Sequence, residues 1–209
     1  MRPRLAFRHT PGTGPTIIFL PGYASDMEGT KAVALERWAR DTGRAFLRFD
    51  YGGCGASEGT FEEQSFADWR DGALAMIDEV AQGPVVLVGS SMGGWIMLSA
   101  AKLRPERVVG CVGIAPAPDL TDWGFSTDEK MRLLQEGQIE RANPYGPAPA
   151  VFTSRLWQSG EANRLRVGEI PPCRGIARGG SRSCSVQPMC RPGWSRMAPT
   201  ACRAMPISR

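Results

Sequence analysis

The sequence predicts an α/β domain built on a mostly parallel sheet. Two observations carry this. Strand-length apolar runs (Thr16 to Leu20, Ala45 to Phe49, Val85 to Val88, Val108 to Ile114) alternate with stretches of helical apolar spacing (Thr30 to Thr42, Ser65 to Val80, Met92 to Leu103). A strand–helix–strand rhythm of this kind predicts right-handed crossovers between parallel strands. The length, 209 residues with 42% hydrophobic residues, suits one globular domain.

Leu5 to Arg8 is a candidate short edge strand, and Thr16 to Leu20 a stronger one that ends in Pro21-Gly22-Tyr23. From Thr30 to Thr42 the apolar face is read as Ala34, Leu35, Trp38 and Ala39, with Gly43 at the helix C-cap. The strand Ala45 to Phe49 runs into Asp50-Tyr51-Gly52-Gly53-Cys54-Gly55-Ala56-Ser57. This glycine-rich loop has neither a P-loop lysine nor G-x-G-x-x-G spacing, which excludes a phosphate cradle, and Asp50 is expected to brace it by accepting backbone N–H bonds. Ser65 with Asp68 forms a capping box, followed by a core stripe of Phe66, Trp69, Ala73, Met76, Ile77 and Val80.

Val85 to Trp95 reads Val-Val-Leu-Val-Gly-Ser-Ser-Met-Gly-Gly-Trp. A doubly buried strand, the G-x-S-x-G Gly89-Ser90-Ser91-Met92-Gly93 and a packed helix follow one another, the context a nucleophile elbow requires. In such an elbow the serine sits on a strained turn with its Oγ above the sheet, so Ser91 is the candidate nucleophile. Gly89 and Gly93 are then required because side chains there would collide across the turn. Gly22 to Ser25 is on its own an ordinary turn. At the carboxyl end of its strand it would face Ser91, and the Tyr23 and Met92 N–H groups would form an oxyanion hole.

Beyond the strand Val108 to Ile114 the rhythm breaks. Ser126 with Glu129 caps a helix expected over Asp128 to Arg141, and a second helix is expected near Phe152 to Asn163. Residues 116–165 read either as a lid over an acyl pocket or as two ordinary surface helices.

Several motifs together resemble the α/β-hydrolase superfamily: Ile17 to Ser25, Gly29 to Ala32, Arg48-Phe49-Asp50-Tyr51 and Leu87 to Trp95. More narrowly they resemble the branch of animal mitochondrial palmitoyl-protein thioesterases and acyl-glucuronide esterases and its bacterial relatives. The resemblance runs collinearly from about residue 5 to about residue 170. It implies an α/β-hydrolase fold and hydrolysis of acyl thioesters or carboxylic esters through a Ser91 acyl-enzyme, on a small-molecule ester or an acylated protein, with no metal or organic cofactor. It also calls for an Asp and a His after two further strands, and neither is found, so the C-terminal strands are expected to be missing. His9 is the sole histidine. It precedes the sheet and reads as a surface residue. Asp119 leaves the end of a strand but has no imidazole to orient. The second reading, from a different class, is a catalytically inactive remnant that at most binds acyl groups.

The charge pattern separates a tail from the rest. Residues 1–169 carry 18 basic and 21 acidic side chains, a net −3, whereas residues 170–209 carry seven Arg and no acid, a net +7. Cys173, Cys184, Cys190 and Cys202 lie in the tail at spacings that fit no zinc or redox pattern, which leaves only Cys54 and Cys111 in the domain. The expected organisation is an incomplete hydrolase domain over 1–170 and an irregular, disordered Arg/Pro/Cys-rich tail over 171–209. Such a tail is what a G+C-rich gene gives out of frame, and places a frameshift between about Leu165 and Cys173. Interleaved aromatics are lacking apart from Trp194, which argues against a nucleic-acid-binding arm. Without an apolar signal region or a run of roughly 18 apolar residues, the sequence predicts a cytoplasmic protein with no membrane span.

Overall fold

The computed structural model describes residues 3–143 and 148–165. The expectations for the tail lie outside these residues. Five strands form the main sheet in the order β1-β3-β2-β4-β5: β1 (Phe7–Thr10), β2 (Thr13–Leu20), β3 (Arg44–Phe49), β4 (Val85–Ser90) and β5 (Val108–Ile114). β1 runs antiparallel to β3, and the remaining pairs are parallel. The mostly parallel α/β sheet is therefore present. The edge strand starts two residues later than its apolar pattern indicates, because Phe7 pairs with Phe49 and Thr10 with Phe46.

Alternation along the central strands loads both faces of the sheet. Ile18, Leu20, Leu47, Phe49 and Leu87 point toward α2 (Phe66–Ala75) and α3 (Met92–Leu103), where Trp69, Ile77, Trp95 and Ile96 complete the larger core. Phe19, Phe46 and Val88 point the other way, toward Ala32 and Ala39 of α1 (Thr30–Asp41). The Ser65–Asp68 capping box starts α2 as expected, and a π-helical turn, Met76–Val80, ends it. β5 forms one edge of the described sheet. Although its sequence is an apolar run, it leaves Val112 47% exposed.

The face of α1 differs from its expected reading. Trp38 is 49% exposed and Ala34 is also exposed, whereas Ala32, Glu36 and Ala39 are buried. The helix turns Glu36 inward because β3 carries a buried cation there. Arg48 Nη2 lies 2.8 Å from Glu36 Oε2, and Thr10 Oγ1 donates to Glu36 Oε1 at 2.9 Å. Gly43, at φ +66°, follows the helix end as expected.

After β5 come α4 (Leu120–Trp123), α5 (Thr127–Glu136), β6 (Gln138–Arg141), β7 (Ala150–Thr153) and α6 (Ser154–Ala162). The Ser126–Glu129 capping box is present, but the helix it starts does not run to Arg141. Gly137 at φ +82° terminates it, and residues 138–141 pair antiparallel with β7, a two-stranded sheet the apolar spacing does not reveal. α6 confirms the second helix, beginning two residues after Phe152.

Arg141 ties this segment together. Its guanidinium bonds both Glu129 oxygens at 2.8 Å and lies 4.5 Å above the Phe125 ring centroid. The bonds from Arg141, followed by those from Ser126, hold the Glu129 carboxyl down at about 2. An unfolded Glu titrates near 4.3, so this ion pair stabilises the fold fully above about pH 5 and loses its contribution as pH falls toward 2. Glu129→Gln should therefore lower the thermal midpoint at pH 7, and the gap from the parent protein should close between pH 5 and 2, as followed by circular dichroism.

Candidate active site

Ser91 lies between β4 and α3 with φ +52° and ψ −121°, a conformation L-residues rarely hold. Its surroundings impose it. The Ser91 N–H donates to Ile114 O at 3.1 Å, and the Ser91 carbonyl accepts from Gly94 N at 2.9 Å and Ala117 N at 3.0 Å. The Ser91 N–H and carbonyl are thus both held, by the carboxyl end of β5 and by the residues just after it.

The glycines of the motif are required for close approach. A Cβ on Gly89 would stand 2.4 Å from Gly93 O, across the turn as anticipated. A Cβ on Gly93 would stand 2.2 Å from Leu20 O and 2.3 Å from Pro21 O, so that glycine seats α3 against the end of β2. Gly94 is equally tight, with its hypothetical Cβ 2.4 Å from Pro116 Cβ.

The loop after β2 runs alongside Ser91. A Cβ on Gly22 would lie 3.4 Å from Ser91 Cβ, and Ser25 N donates to Gly22 O at 3.2 Å, which closes a turn over Tyr23 and Ala24. Ala24 occupies the third position of that turn at φ +51°. Met92 opens α3, so its N–H belongs to the first-turn donors that have no partner within the helix, at the positive end of the helix dipole. The structure thus brings Ser91, Gly22–Tyr23 and Met92 to one end of the sheet.

Side chains hold this loop from one flank. Asp50 Oδ1 accepts from Met27 N at 2.6 Å and Asp50 Oδ2 from Ala56 N at 2.8 Å, while Arg48 Nη1 donates to Met27 O at 2.6 Å. Asp50 braces as expected, but it links the loop at 27 to the loop at 56 rather than its own loop alone. The sequence shows Arg48 only within the Arg48-Phe49-Asp50-Tyr51 motif and gives no role to it or to Glu36. The available signal was a pair of opposite charges, one on an apolar helix face and one inside an apolar strand.

His9 is exposed on β1, level with Leu47, Ile18 and Leu87 along the sheet. Three strand spacings across and four residues along separate it from Ser91, roughly 14 Å by 13 Å. Asp119 accepts from Leu165 N at 2.8 Å and holds a left-handed conformation ahead of α4. Neither joins Ser91. Buried Cys54 is no alternative nucleophile: burial first, and then the Asp50 and Asp26 charges, push its thiol up to about 12. A cavity of about 700 Å³ is lined by Pro3, Leu5, Gly52, Gln64, Asp68 and Arg155 among others, away from the elbow. Among the described residues no cluster of His, Cys, Asp or Glu could hold a metal ion, and no helix is long and apolar enough to cross a membrane.

A sheet of this order with a serine elbow at the end of its fourth strand defines an α/β-hydrolase fold. The family model described as serine aminopeptidase, S33, matches residues 13–137, and the chain belongs to that family of hydrolases. The human palmitoyl-protein thioesterase ABHD10, mitochondrial, is 51% identical over 117 residues, 56% of this chain and 38% of that protein. The chain thus spans well under half the length of the curated relatives it matches. The structure of α/β-hydrolase domain-containing protein 10 from mouse superposes with a TM-score of 0.71 at 39% identity, covering 78% of this chain and 67% of the other. Est1E from Butyrivibrio proteoclasticus, with ferulic acid bound, shares the fold at 20% identity, TM-score 0.64, over 78% and 68% of the two chains. The curated relatives are mitochondrial by name, which overturns the expectation of a cytoplasmic protein.

Packing alone dictates one outcome. Gly93→Ala should leave little soluble, folded protein, because the added methyl meets two backbone carbonyls that cannot move without displacing β2. Gly43→Ala, whose Cβ meets nothing, should cost only the backbone strain of about 1 kcal/mol. Comparing thermal unfolding of the two variants checks this.

Proposed function

We propose that this chain derives from a serine hydrolase of acyl thioesters or carboxylic esters that works through a Ser91 acyl-enzyme. The observation that carries the reading is the strained Ser91 backbone, φ +52°, at the strand–helix junction. A serine in that conformation presents its Oγ above the sheet, and α3 directs its N-terminus toward the same point. In the proposed chemistry Ser91 Oγ attacks the acyl carbonyl. The Tyr23 and Met92 N–H groups hold the negative charge of the tetrahedral intermediate, whose collapse breaks the C–S or C–O bond and expels the thiol or alcohol, with the proton lost from Ser91 Oγ passing to that leaving group; water then attacks the acyl-enzyme, releasing the acid and returning a proton to Ser91 Oγ. Residues 116–165 are the lid in this reading. The relatives named as palmitoyl-protein thioesterases favour long acyl thioesters among the substrates.

The position of His9 makes the chain as it stands a crippled hydrolase on the first reading, and favours the second, a catalytically inactive remnant that binds acyl groups. The base must reach Ser91 Oγ within hydrogen-bond distance, and the sole histidine stands on the far edge strand. Loss of the triad base in a serine protease costs on the order of 10⁶-fold, about 8 kcal/mol of transition-state stabilisation.

A fluorophosphonate probe followed by peptide mapping tests the reading. Covalent modification of Ser91, absent in Ser91→Ala, is the expected result, at a rate far below that of a complete serine esterase. Labelling elsewhere, or none after prolonged exposure while an acyl ligand still binds, would leave the acyl-binding remnant.

A further inference from the structure

We infer that the Tyr23 side chain is a positioning residue that couples the seating of the β6–β7 segment to the oxyanion donor on the same residue. This deepens the Ser91 reading above and rests on it.

Tyr23 has two ends with two tasks. Its backbone follows Gly22, whose hypothetical Cβ lies 3.4 Å from Ser91 Cβ, so the Tyr23 peptide N–H belongs to the loop beside the candidate nucleophile. Its side chain leaves that loop and docks on the segment after β5. The hydroxyl donates to Val151 O in β7, and the ring stacks on Phe152 with centroids 4.6 Å apart and planes within 6°. Phe61 and Trp69 close the other sides edge-on, at 5.2 and 5.7 Å. Burial raises the phenol pKa, with the neighbouring Cys54 and Glu62 adding to the effect, so the group stays a hydroxyl and a donor.

The far side of this contact is continuous with the rest of the segment. Phe152 meets Phe125 edge-on at 5.3 Å, the Arg141 guanidinium lies 5.1 Å from the Phe152 centroid, and Arg141 grips Glu129 of α5. A displacement of β7 therefore pulls on Tyr23. Ala24, next in the chain and held at φ +51°, belongs to a strained turn that the loop would leave readily without this tether. The opposite flank of the loop is fixed through Met27 by Asp50 and Arg48. The part of the loop that β7 holds is the stretch that carries the proposed donor. Seating the segment over the site and assembling the oxyanion hole are then one event, with binding energy at the lid used to align a hydrogen bond at the reacting carbonyl.

Two variants separate the two kinds of contact. Tyr23→Phe keeps the stacked rings and removes the hydrogen bond, whereas Phe152→Ala removes the stack and leaves the Val151 carbonyl in place. Hydrogen exchange read by mass spectrometry should show Phe152→Ala accelerating exchange in peptides covering residues 20–27. Tyr23→Phe should accelerate it in peptides covering 138–153, by about fivefold, the factor a lost hydrogen bond implies. Both variants should slow fluorophosphonate labelling of Ser91 by a similar factor, whereas Arg37→Gln, exposed on α1 across the sheet, should leave both readouts unchanged. Exchange in each segment indifferent to the substitution in the other would overturn the coupling. Coupled exchange with unchanged Ser91 labelling would overturn the positioning role. If the parent protein does not label at all, the Ser91 reading falls, and coupled exchange still upholds the mechanical link.

Discussion

The approach of the first turn of α3 to the ends of β2 and β4 is the constraint on which the rest of the molecule depends. Leu20 O, Pro21 O, Gly93 O and the Gly94 Cα all crowd the space where side chains at 89 and 93 would stand. Holding Ser91 in its conformation costs about 1–3 kcal/mol. Hydrogen bonds to Ile114 and Ala117, at about 1 kcal/mol each, offset most of that. Because those partners sit at the end of β5, the elbow forms only when β2, β4, β5 and α3 are in register.

The second half of the candidate site has no comparable backbone clamp and relies on side chains. Arg48 is nearly buried, and its charge is met by Glu28 and Glu36 and by the Met27 carbonyl. A buried guanidinium is tolerable only when its donors are so occupied, and removing one partner from such a set typically costs about 3–5 kcal/mol. The network explains why an acid faces inward from α1 and why the far end of the loop after β2, at Met27 and Glu28, keeps its place. Asp50 adds a second fixed point, with Gly55 at φ +50° leaving room for its carboxylate.

Features written in short-range pattern were legible in the sequence. Ile17 to Leu20 and Val85 to Val88 are apolar runs that no other element explains. The two capping boxes are local chemistry, and the elbow is a motif whose context lies within a dozen residues. What escaped depends on partners distant in sequence. Trp38 was placed on the buried face of α1 because hydrophobicity outweighed Glu36, when the buried cation across the sheet decided the orientation. The strands 138–141 and 150–153 are four residues each and stabilise one another, so neither shows a period. Gly137, the stop before them, is the one local signal that the helix ends short of Arg141. Tyr23 was singled out for its peptide N–H alone, since nothing nearby in sequence reports that its ring rests on a residue in β7.

The elbow by itself does not certify turnover, and the reason is mechanical. Gly89, Gly93 and Gly94 satisfy packing whether or not a substrate ever arrives, so a chain without a base must keep them to fold. Position 91 is different. Among the described residues the packing asks for no hydroxyl there, and at φ +52° a glycine would relieve the strain. A serine at that position adds a cost that the fold does not require. On the proposed reading, the groups that would form and stabilise an acyl-enzyme lie within residues 13–103, and His9 does not join them. His9 shares its sheet level with Leu87, four residues short of Ser91 and three strands away, and no rotamer of an imidazole spans that gap. In the proposed chemistry a base for Ser91 would have to stand at the carboxyl ends of the strands, the end of the sheet at which the elbow lies.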